Sequence, residues 1–167
     1  MKKVFIVNGM GGCGKDTFVA CVGEIVPTMH ISIVEKTKEI ARTLGWTGSK
    51  TEKDRLFLYE LKAALDHFSD YNYEYIKGRV RDFYEGKLDN CEVLCIDIRE
   101  KYQVERARKE FNAEVVLVRR EGIKNITTNT ADANVFDIEY DIYVDNNGTI
   151  EDLKQTAKEF VQKYVNI

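Results

Sequence analysis

A glycine-rich loop directly after an apolar segment constrains the fold of this chain more than any other feature. The segment Lys3–Asn8 carries four apolar side chains in succession, which predicts a buried strand. Residues 9–17 follow with the sequence GMGGCGKDT, whose first seven positions match the phosphate-binding template GxxxxGK[ST]. Apolar side chains then recur at helical spacing over residues 14–25. A strand, a glycine loop and a helix in this order predict a loop that binds phosphate groups.

The composition of the loop suits that chemistry. Phosphate oxygens are held by backbone N–H groups that point inward, and side chains would block this approach. Several positions also favour positive φ, so glycine is preferred. Lys15 has the charge and reach to contact the β- and γ-phosphates of a nucleotide during transfer. The residues of the loop predicted to bind a nucleotide are Gly9, Gly11, Gly12, Cys13, Gly14, Lys15, Asp16 and Thr17.

The residue after the lysine departs from the template, because Asp16 stands where Ser or Thr is usual. In the usual motif the hydroxyl ligates Mg²⁺, and a carboxylate is also a hard oxygen ligand. We therefore predict that Asp16 contributes to a Mg²⁺ site while Thr17 bonds a phosphate. The alternative is that Asp16 only caps the helix or complements its dipole.

The rest of the chain alternates short apolar segments with helical patterns. Near-continuous apolar strands separated by helices are typical of a parallel sheet covered on both faces. The prediction is therefore a three-layer α/β fold with a five-stranded parallel sheet. The predicted strands span residues 3–8, 30–34, 92–97, 114–119 and 140–144. The predicted helices span residues 14–25, 35–44, 50–68, 73–83 and 102–111, with a last helix capped by Thr149 and Asp152.

Charged residues follow two of the predicted strands at the carboxyl edge, where open α/β sheets bind ligands. Asp97 ends the third strand and is predicted to hold Mg²⁺ or its waters, with Arg99 facing a phosphate. Arg119 and Arg120 follow the fourth strand, and one of them is predicted to stabilise the charge of phosphoryl transfer. The polar stretch 121–140 is either a lid that excludes water or a surface loop.

Composition limits the function further. The 167 residues suit a single domain, and no segment has the length or hydropathy of a membrane span. A net charge of −3 lacks the basic excess of a nucleic-acid-binding protein. His30 and His67 show no metal-binding spacing, and the four cysteines form no CxxC pair, so free thiols are expected. We expect a cytoplasmic protein with small-molecule partners; its oligomeric state is left open.

Several segments resemble one family of kinases in order along residues 3–160. The sequence GMGGCGKDTF is similar to the GKD variant of the phosphate-binding loop in deoxynucleoside monophosphate kinases and phosphomevalonate kinases. The further segments similar to the former family are residues 38–42, 45–48, 53–55, 96–99, 118–120 and 145–149. Residues 100–103 (EKYQ) and 35–37 (EKT) depart from the family's usual sequences on the acceptor side.

The resemblance implies a five-stranded P-loop kinase fold that transfers the γ-phosphate of ATP, with Mg²⁺, to a nucleoside monophosphate. It implies that the helical region 35–88 binds the acceptor, and that Asn147 and Gly148 lie near the donor base. The residues it assigns to the acceptor are Lys38, Arg42, Arg55 and Arg99. Two alternatives stay open: a kinase of another phosphorylated metabolite, such as phosphomevalonate or dephospho-coenzyme A, and a nucleotide-binding module without an acceptor.

Overall fold

The computed structural model describes residues 2–123 and 135–165. Its strands are β1 (Lys3–Asn8), β2 (Thr28–Ser32), β3 (Val93–Asp97), β4 (Glu114–Arg119) and β5 (Ile142–Asp145). Its helices are α1 (Lys15–Gly23), α2 (Glu35–Thr43), α3 (Glu52–Ser69), α4 (Tyr71–Tyr84), α5 (Lys101–Phe111) and α6 (Ile150–Phe160). A 3₁₀ turn covers Val135–Asp137, and a π turn, Val161–Val165, extends α6.

The five strands form one parallel sheet in the order β2-β3-β1-β4-β5. Because all strands point the same way, their carboxyl ends share one edge. The register places Asp97 between Val7 on β1 and Ser32 on β2. On the other side of β1, Arg119 lies opposite Asp145. The predicted five-stranded parallel sheet is confirmed.

Helices cover both faces of this sheet. Val4 and Ile6 of β1 face a core shared with α4 and α5, whereas Phe5 and Val7 face a core shared with α1 and α6. The alternation follows from the two-residue period of a strand. Both faces are therefore buried, which explains why the strands are apolar almost throughout and confirms the three-layer α/β fold.

Three strands differ at their ends from the sequence prediction, and β3 begins at Val93, one residue later than predicted. β2 begins at Thr28 and ends at Ser32, because its partner β3 ends at Asp97, opposite Ser32. Val34, predicted as the end of this strand, is instead the residue before α2. β5 begins at Ile142 and not at residue 140. The pairing of β4 with β5 starts at that residue, opposite Val116.

Helices α2, α3 and α4 lie between β2 and β3 in the chain and cover most of the predicted acceptor region 35–88. A capping box of Thr51 and Asp54 starts α3, and the left-handed Asp70 separates α3 from α4. The predicted box of Thr149 and Asp152 is present at the start of α6. Of the candidate lid 121–140, residues 124–134 lie outside the described residues. Within the described ranges, no helix combines the length and hydropathy that a membrane crossing requires.

Candidate active site

The glycine loop turns directly from β1 into α1 at the carboxyl edge of the sheet. Gly14 adopts φ of 90° and precedes the first helical residue, so it occupies the left-handed region that favours glycine. A Cβ at Gly14 would lie 2.2 Å from Nδ2 of Asn146. A Cβ at Gly9 would lie 2.5 Å from the carbonyl oxygen of Val118. The loop is therefore packed against the strands and loops next to β1, with no room for side chains at these two positions.

Asn146 fastens the loop to the segment after β5. Its Nδ2 donates to the carbonyl oxygen of Cys13 over 2.9 Å, and its side chain is buried. The sequence predicts Asn147 and Gly148 near the site but does not single out Asn146. An asparagine directly after a strand, at the binding edge of the sheet, is the signal that could have identified it.

Lys15 lies between two carboxylates. Its Nζ is 2.6 Å from Oδ2 of Asp97 and 2.7 Å from Oδ1 of Asp16, and only 7% of the lysine side chain is exposed. The hydrogen bond from Lys15 holds the pKa of Asp16 below its ordinary value. The structure thus brings together Lys15, Asp16 and Asp97, the three residues predicted to handle phosphate and metal, from the loop and from β3.

His30 joins this cluster, although its spacing in the sequence gave no reason to expect it. Its Nε2 lies 3.0 Å from Oδ1 of Asp97, at hydrogen-bond distance. One ligand atom from each of Asp16, His30 and Asp97 lies within 4.8 Å of the others. The contact arises because β2 pairs with β3 in a register that aligns His30 with Cys95, two residues before Asp97. Carboxylate oxygens and an imidazole nitrogen are suitable ligands for a divalent cation.

Positive charge collects on the side of α2. Burial lowers the pKa of Lys38, the negative charge of Asp97 opposes this shift, and the positive charges of Arg99 and Arg42 add to it. The charge of Arg99 also helps to lower the pKa of Asp16, so Arg99 acts on the glycine loop as well as on α2. Three of the predicted acceptor residues therefore share one electrostatic environment next to Asp97. Such a cluster is suited to a phosphate group.

Arg42 of this cluster and Arg55, the fourth predicted acceptor residue, each make a contact within the helical region. The guanidinium of Arg42 lies 5.5 Å from the ring centroid of Trp46, within the range of a cation–π contact. Arg55 is exposed on α3, and its Nε donates to the carbonyl oxygen of Lys50 over 3.2 Å. Lys50 in turn acts on the charge of Lys38. The predicted contact of Arg55 with an acceptor stays a prediction.

A cavity of about 560 Å³ opens on the opposite side of the glycine loop. Its walls include Met10 and Cys13 of the loop, Arg119 and Arg120 at the end of β4, and Asn147 after β5. The volume is in the range of small-molecule sites. The position of a donor base here stays a prediction.

The residues of this cavity wall are tied to one another. Arg119 pairs with the carboxylate of Asp145 through two nitrogens, with its Nη2 3.1 Å from Oδ2. Oδ1 of Asn147 accepts from the backbone N–H of Glu121 over 2.8 Å. Gly148 leaves room for the capping residue Asp152 of α6, because a Cβ at position 148 would lie 2.4 Å from Oδ2 of Asp152. The predicted roles of Arg119, Arg120 and Gly148 toward a nucleotide stay predictions.

A buried polar network that the sequence does not predict lies on the proposed acceptor side. Lys62 of α3 contacts Oδ2 of Asp66 over 2.9 Å and Oε1 of Glu100 over 3.0 Å. Asp66 also accepts from Nδ2 of Asn72 over 2.8 Å, and Asn72 accepts from the hydroxyl of Thr37 over 2.7 Å. Burial alone would lower the pKa of Lys62, but its two carboxylate partners outweigh this effect and raise it. The network joins α2, α3 and α4 to the residue after Arg99.

A second cavity of about 770 Å³ lies between α3 and the start of α5. It is lined by Lys62 and its partners Asp66 and Glu100, together with the phenol rings of Tyr59 and Tyr102. Both rings are more than half exposed. The acceptor side therefore contains an open polar volume next to the segment that carries Arg99.

The shape of the whole chain matches solved structures of kinases at low sequence identity. A thymidylate kinase from Candida albicans has a TM-score of 0.55 at 12% identity, with 96% of this chain and 91% of that chain covered. A dephospho-CoA kinase from Campylobacter jejuni has a TM-score of 0.53 at 14% identity, with 99% of both chains covered. This chain has the fold of the P-loop kinases. A shikimate kinase from Aquifex aeolicus, with a TM-score of 0.54 at 11% identity and coverage of 96% and 98%, has it too.

Sequence comparisons add no closer relative. The chain matches no protein-family model, and no curated protein matches it. The likeness to known proteins is therefore one of fold, and it is visible only when structures are compared.

Proposed function

We propose that this protein is an ATP- and Mg²⁺-dependent kinase that phosphorylates a nucleoside or deoxynucleoside monophosphate. The observation that carries the proposal is the position of Lys15. Its ammonium group lies at the mouth of a glycine loop, between two carboxylates, with a cavity on one side and a cluster of cations on the other. This arrangement separates a donor from an acceptor, as transfer of a phosphoryl group requires.

The donor half binds ATP in this proposal. Backbone N–H groups of the loop and the N-terminus of α1 hold the triphosphate, which matches the glycine-rich geometry and the helix dipole. The adenine occupies the cavity lined by Met10, Arg119 and Asn147. Lys15 then neutralises the β- and γ-phosphates, for which it must exchange at least one of its carboxylate partners.

The acceptor half binds the monophosphate in this proposal. Lys38, Arg42 and Arg99 supply charge at its phosphate, and Arg55 borders the same region. An oxygen of the acceptor phosphate attacks the γ-phosphorus in line, the bond from that phosphorus to the β-phosphate oxygen breaks, and ADP leaves. Because the acceptor phosphate is ionised at neutral pH, no side chain has to remove a proton. Positioning and charge neutralisation by Lys15 and the arginines provide the catalysis.

The cluster of Asp16 and Asp97 fits the Mg²⁺ that accompanies ATP in such reactions. Both residues present carboxylate oxygens, the ligand type that Mg²⁺ prefers. When bound, Mg²⁺ supplies further neutralisation of phosphate charge. The chain's part is to hold these oxygens at the end of β3 and the start of α1.

An acceptor screen tests the proposal. Wild-type protein is incubated with ATP, Mg²⁺ and each common nucleoside or deoxynucleoside monophosphate, and diphosphate formation is followed by ion-exchange chromatography. Phosphomevalonate and dephospho-coenzyme A belong in the same panel, since their turnover alone would assign the chain to the first alternative. Tight ATP binding without turnover of any acceptor would favour a binding module. We expect turnover of at least one nucleoside monophosphate.

A further inference from the structure

The environment of His30 points to a metal preference that oxygen ligands alone would not produce. His30 lies on β2 and Asp97 on β3, and both side chains belong to the sheet face that carries α1. Met29 and Ile31, the neighbours of His30, instead border the core on the opposite face. The strand period therefore directs the imidazole toward Asp97 and toward Asp16 at the start of α1, and away from the apolar core.

One distance in the cluster matches the spacing of neighbouring ligands around a coordinated cation. Six-coordinate ligands at bond lengths of about 2.1 Å lie about 3.0 Å from their neighbours around the metal. Nε2 of His30 and Oδ1 of Asp97 are 3.0 Å apart. The ammonium of Lys15 already places one positive charge within 2.7 Å of both Asp16 and Asp97. The cluster thus stabilises a cation, and an imidazole nitrogen stands at ligand spacing from one of its oxygens.

We propose that His30 is a direct nitrogen ligand of the nucleotide-associated divalent cation, together with Asp16 and Asp97, and that the site therefore prefers Mn²⁺ or Co²⁺ to Mg²⁺. This inference rests on the proposed nucleotide site. Imidazole nitrogen binds first-row transition metals better than it binds Mg²⁺, which takes oxygen ligands. Ligation requires the Nε2 lone pair, so the ring proton resides on Nδ1 in the loaded state.

The competing role for His30 is to orient Asp97 by a hydrogen bond while only oxygens touch the metal. This role would also weaken metal binding when His30 is replaced. The two roles differ in one observable, the magnetic coupling between the histidine nitrogen and a paramagnetic metal. A directly bound ¹⁵N nucleus couples to Mn²⁺ through the bond, whereas a nitrogen in the outer sphere couples only weakly through space.

The chain offers a clean labelling scheme, because it contains only two histidines. Protein is produced with ¹⁵N-histidine in a His67→Gln background, which leaves His30 as the one labelled residue. Mn²⁺ and a methylene-bridged ATP analogue are added, and pulsed electron–nuclear double resonance is recorded. We expect a through-bond ¹⁵N coupling that persists with His67 intact and disappears in His30→Gln.

Metal titrations give the second readout. The free Mn²⁺ signal measures binding to the protein–analogue complex, and Mg²⁺ is measured by competition. His30→Gln should weaken Mn²⁺ binding by at least about tenfold and Mg²⁺ binding by less. His30→Asp replaces the nitrogen with oxygen, so it should retain metal binding and lose the preference for Mn²⁺. Because His30→Asp offers an oxygen ligand at the same position, it keeps the test usable if His30→Gln folds poorly.

The results separate this inference from the proposed function. Mn²⁺ bound to the nucleotide complex without a ¹⁵N coupling, or equal Mn²⁺-to-Mg²⁺ ratios in wild type and His30→Asp, would overturn His30 as a ligand and leave the kinase proposal intact. Failure of the wild-type protein to bind the nucleotide analogue would overturn both. A through-bond ¹⁵N coupling and a preference for Mn²⁺, observed together with no turnover of any acceptor, would support the metal site but not the kinase proposal.

Discussion

At the scale of single residues, Lys15 carries the largest share of the proposed chemistry. The buried ammonium is paired with Asp97 and Asp16, which hold the lysine near the position that phosphates would take. A positioned charge needs little reorganisation when the transferring group arrives, which is the usual source of electrostatic catalysis.

Replacing Lys15 with Met should lower kcat for phosphoryl transfer by about 10²–10³-fold, since one preorganised cation at the developing charge is lost. The pKa of Asp16 should rise at the same time, because the hydrogen bond from Lys15 is the main cause of its depression. Steady-state kinetics with ATP and the best acceptor measure the first effect. Activity close to wild type in this variant would exclude the assigned role, and circular dichroism serves as the control for folding.

Gly14 supports a prediction about the loop itself. Gly14→Ala should abolish nucleotide binding and destabilise the fold by about 1–2 kcal/mol or more, because alanine is strained at φ of 90° and its Cβ would meet Asn146. Gly78→Ala is the matched control, since that glycine lies in α4 with open space around it. The control should gain about 0.5–1 kcal/mol from helix propensity. Urea unfolding measures the stability of the two variants, and binding of the ATP analogue measures their nucleotide sites. If the two variants behaved alike in both measurements, the prediction would be contradicted.

The sequence predicted part of this site for a physical reason and missed part for another. Lys15 and Asp97 could be expected to meet, because a loop after one parallel strand and an acid at the end of its neighbour share an edge. His30 could not, since its contact depends on the register between β2 and β3, which local sequence does not encode. Lys62 could not be predicted either, because a lysine within an amphipathic helix usually faces water. Here the side chain is buried and pairs with Asp66 of α3 and with Glu100 after β3.

At the scale of elements, two helices begin with complete capping boxes, one on each half of the molecule. Thr51 and Asp54 start α3, and Thr149 and Asp152 start α6. The sequence predicted the second because the pattern is local and needs no tertiary contact. The same local character explains why element types were predicted well, while the ends of β2 and β5 depended on their partner strands.

The box at α6 gives a pH-dependent prediction. Hydrogen bonds from the backbone and hydroxyl of Thr149 hold the pKa of Asp152 below its ordinary value of 3.8. A carboxylate whose pKa is lower in the folded than in the unfolded state stabilises the fold at pH values above its ordinary pKa. This stabilisation is lost as the pH falls through the pKa of the folded state. Asp152→Asn should therefore lower Tm at pH 7, and this effect should shrink as the pH falls below 3.8. Thermal unfolding across this range measures the difference.

Glu151→Gln is the matched control for that experiment. It neutralises an acid in the same first turn, but Glu151 takes no part in the box. Its loss of Tm at pH 7 should be the smaller one, reflecting only the helix dipole. Equal losses in the two variants would show that the box itself contributes nothing.

At the scale of the whole molecule, the sheet holds the proposed donor site and the helices inserted after β2 hold the proposed acceptor site. The network around Lys62 connects these parts, because Glu100 directly follows Arg99 and Thr37 directly precedes Lys38. Residues that face the acceptor phosphate in the proposal are thus anchored through buried polar contacts. Fixing such groups before the substrate binds lowers the entropy cost of productive orientation.

Lys62→Met should therefore affect stability and acceptor binding together. Removing a buried cation leaves Asp66 and Glu100 without compensation, which should cost about 3–5 kcal/mol in urea unfolding. Lys77→Met is the control, because its bridge to Glu110 is half exposed and should be worth about 1 kcal/mol or less. At 15 °C, with both variants verified as folded, KM for the acceptor should rise in Lys62→Met while KM for ATP stays near wild type. A parallel rise of both constants would mean that the network supports the fold in general and does not position Arg99.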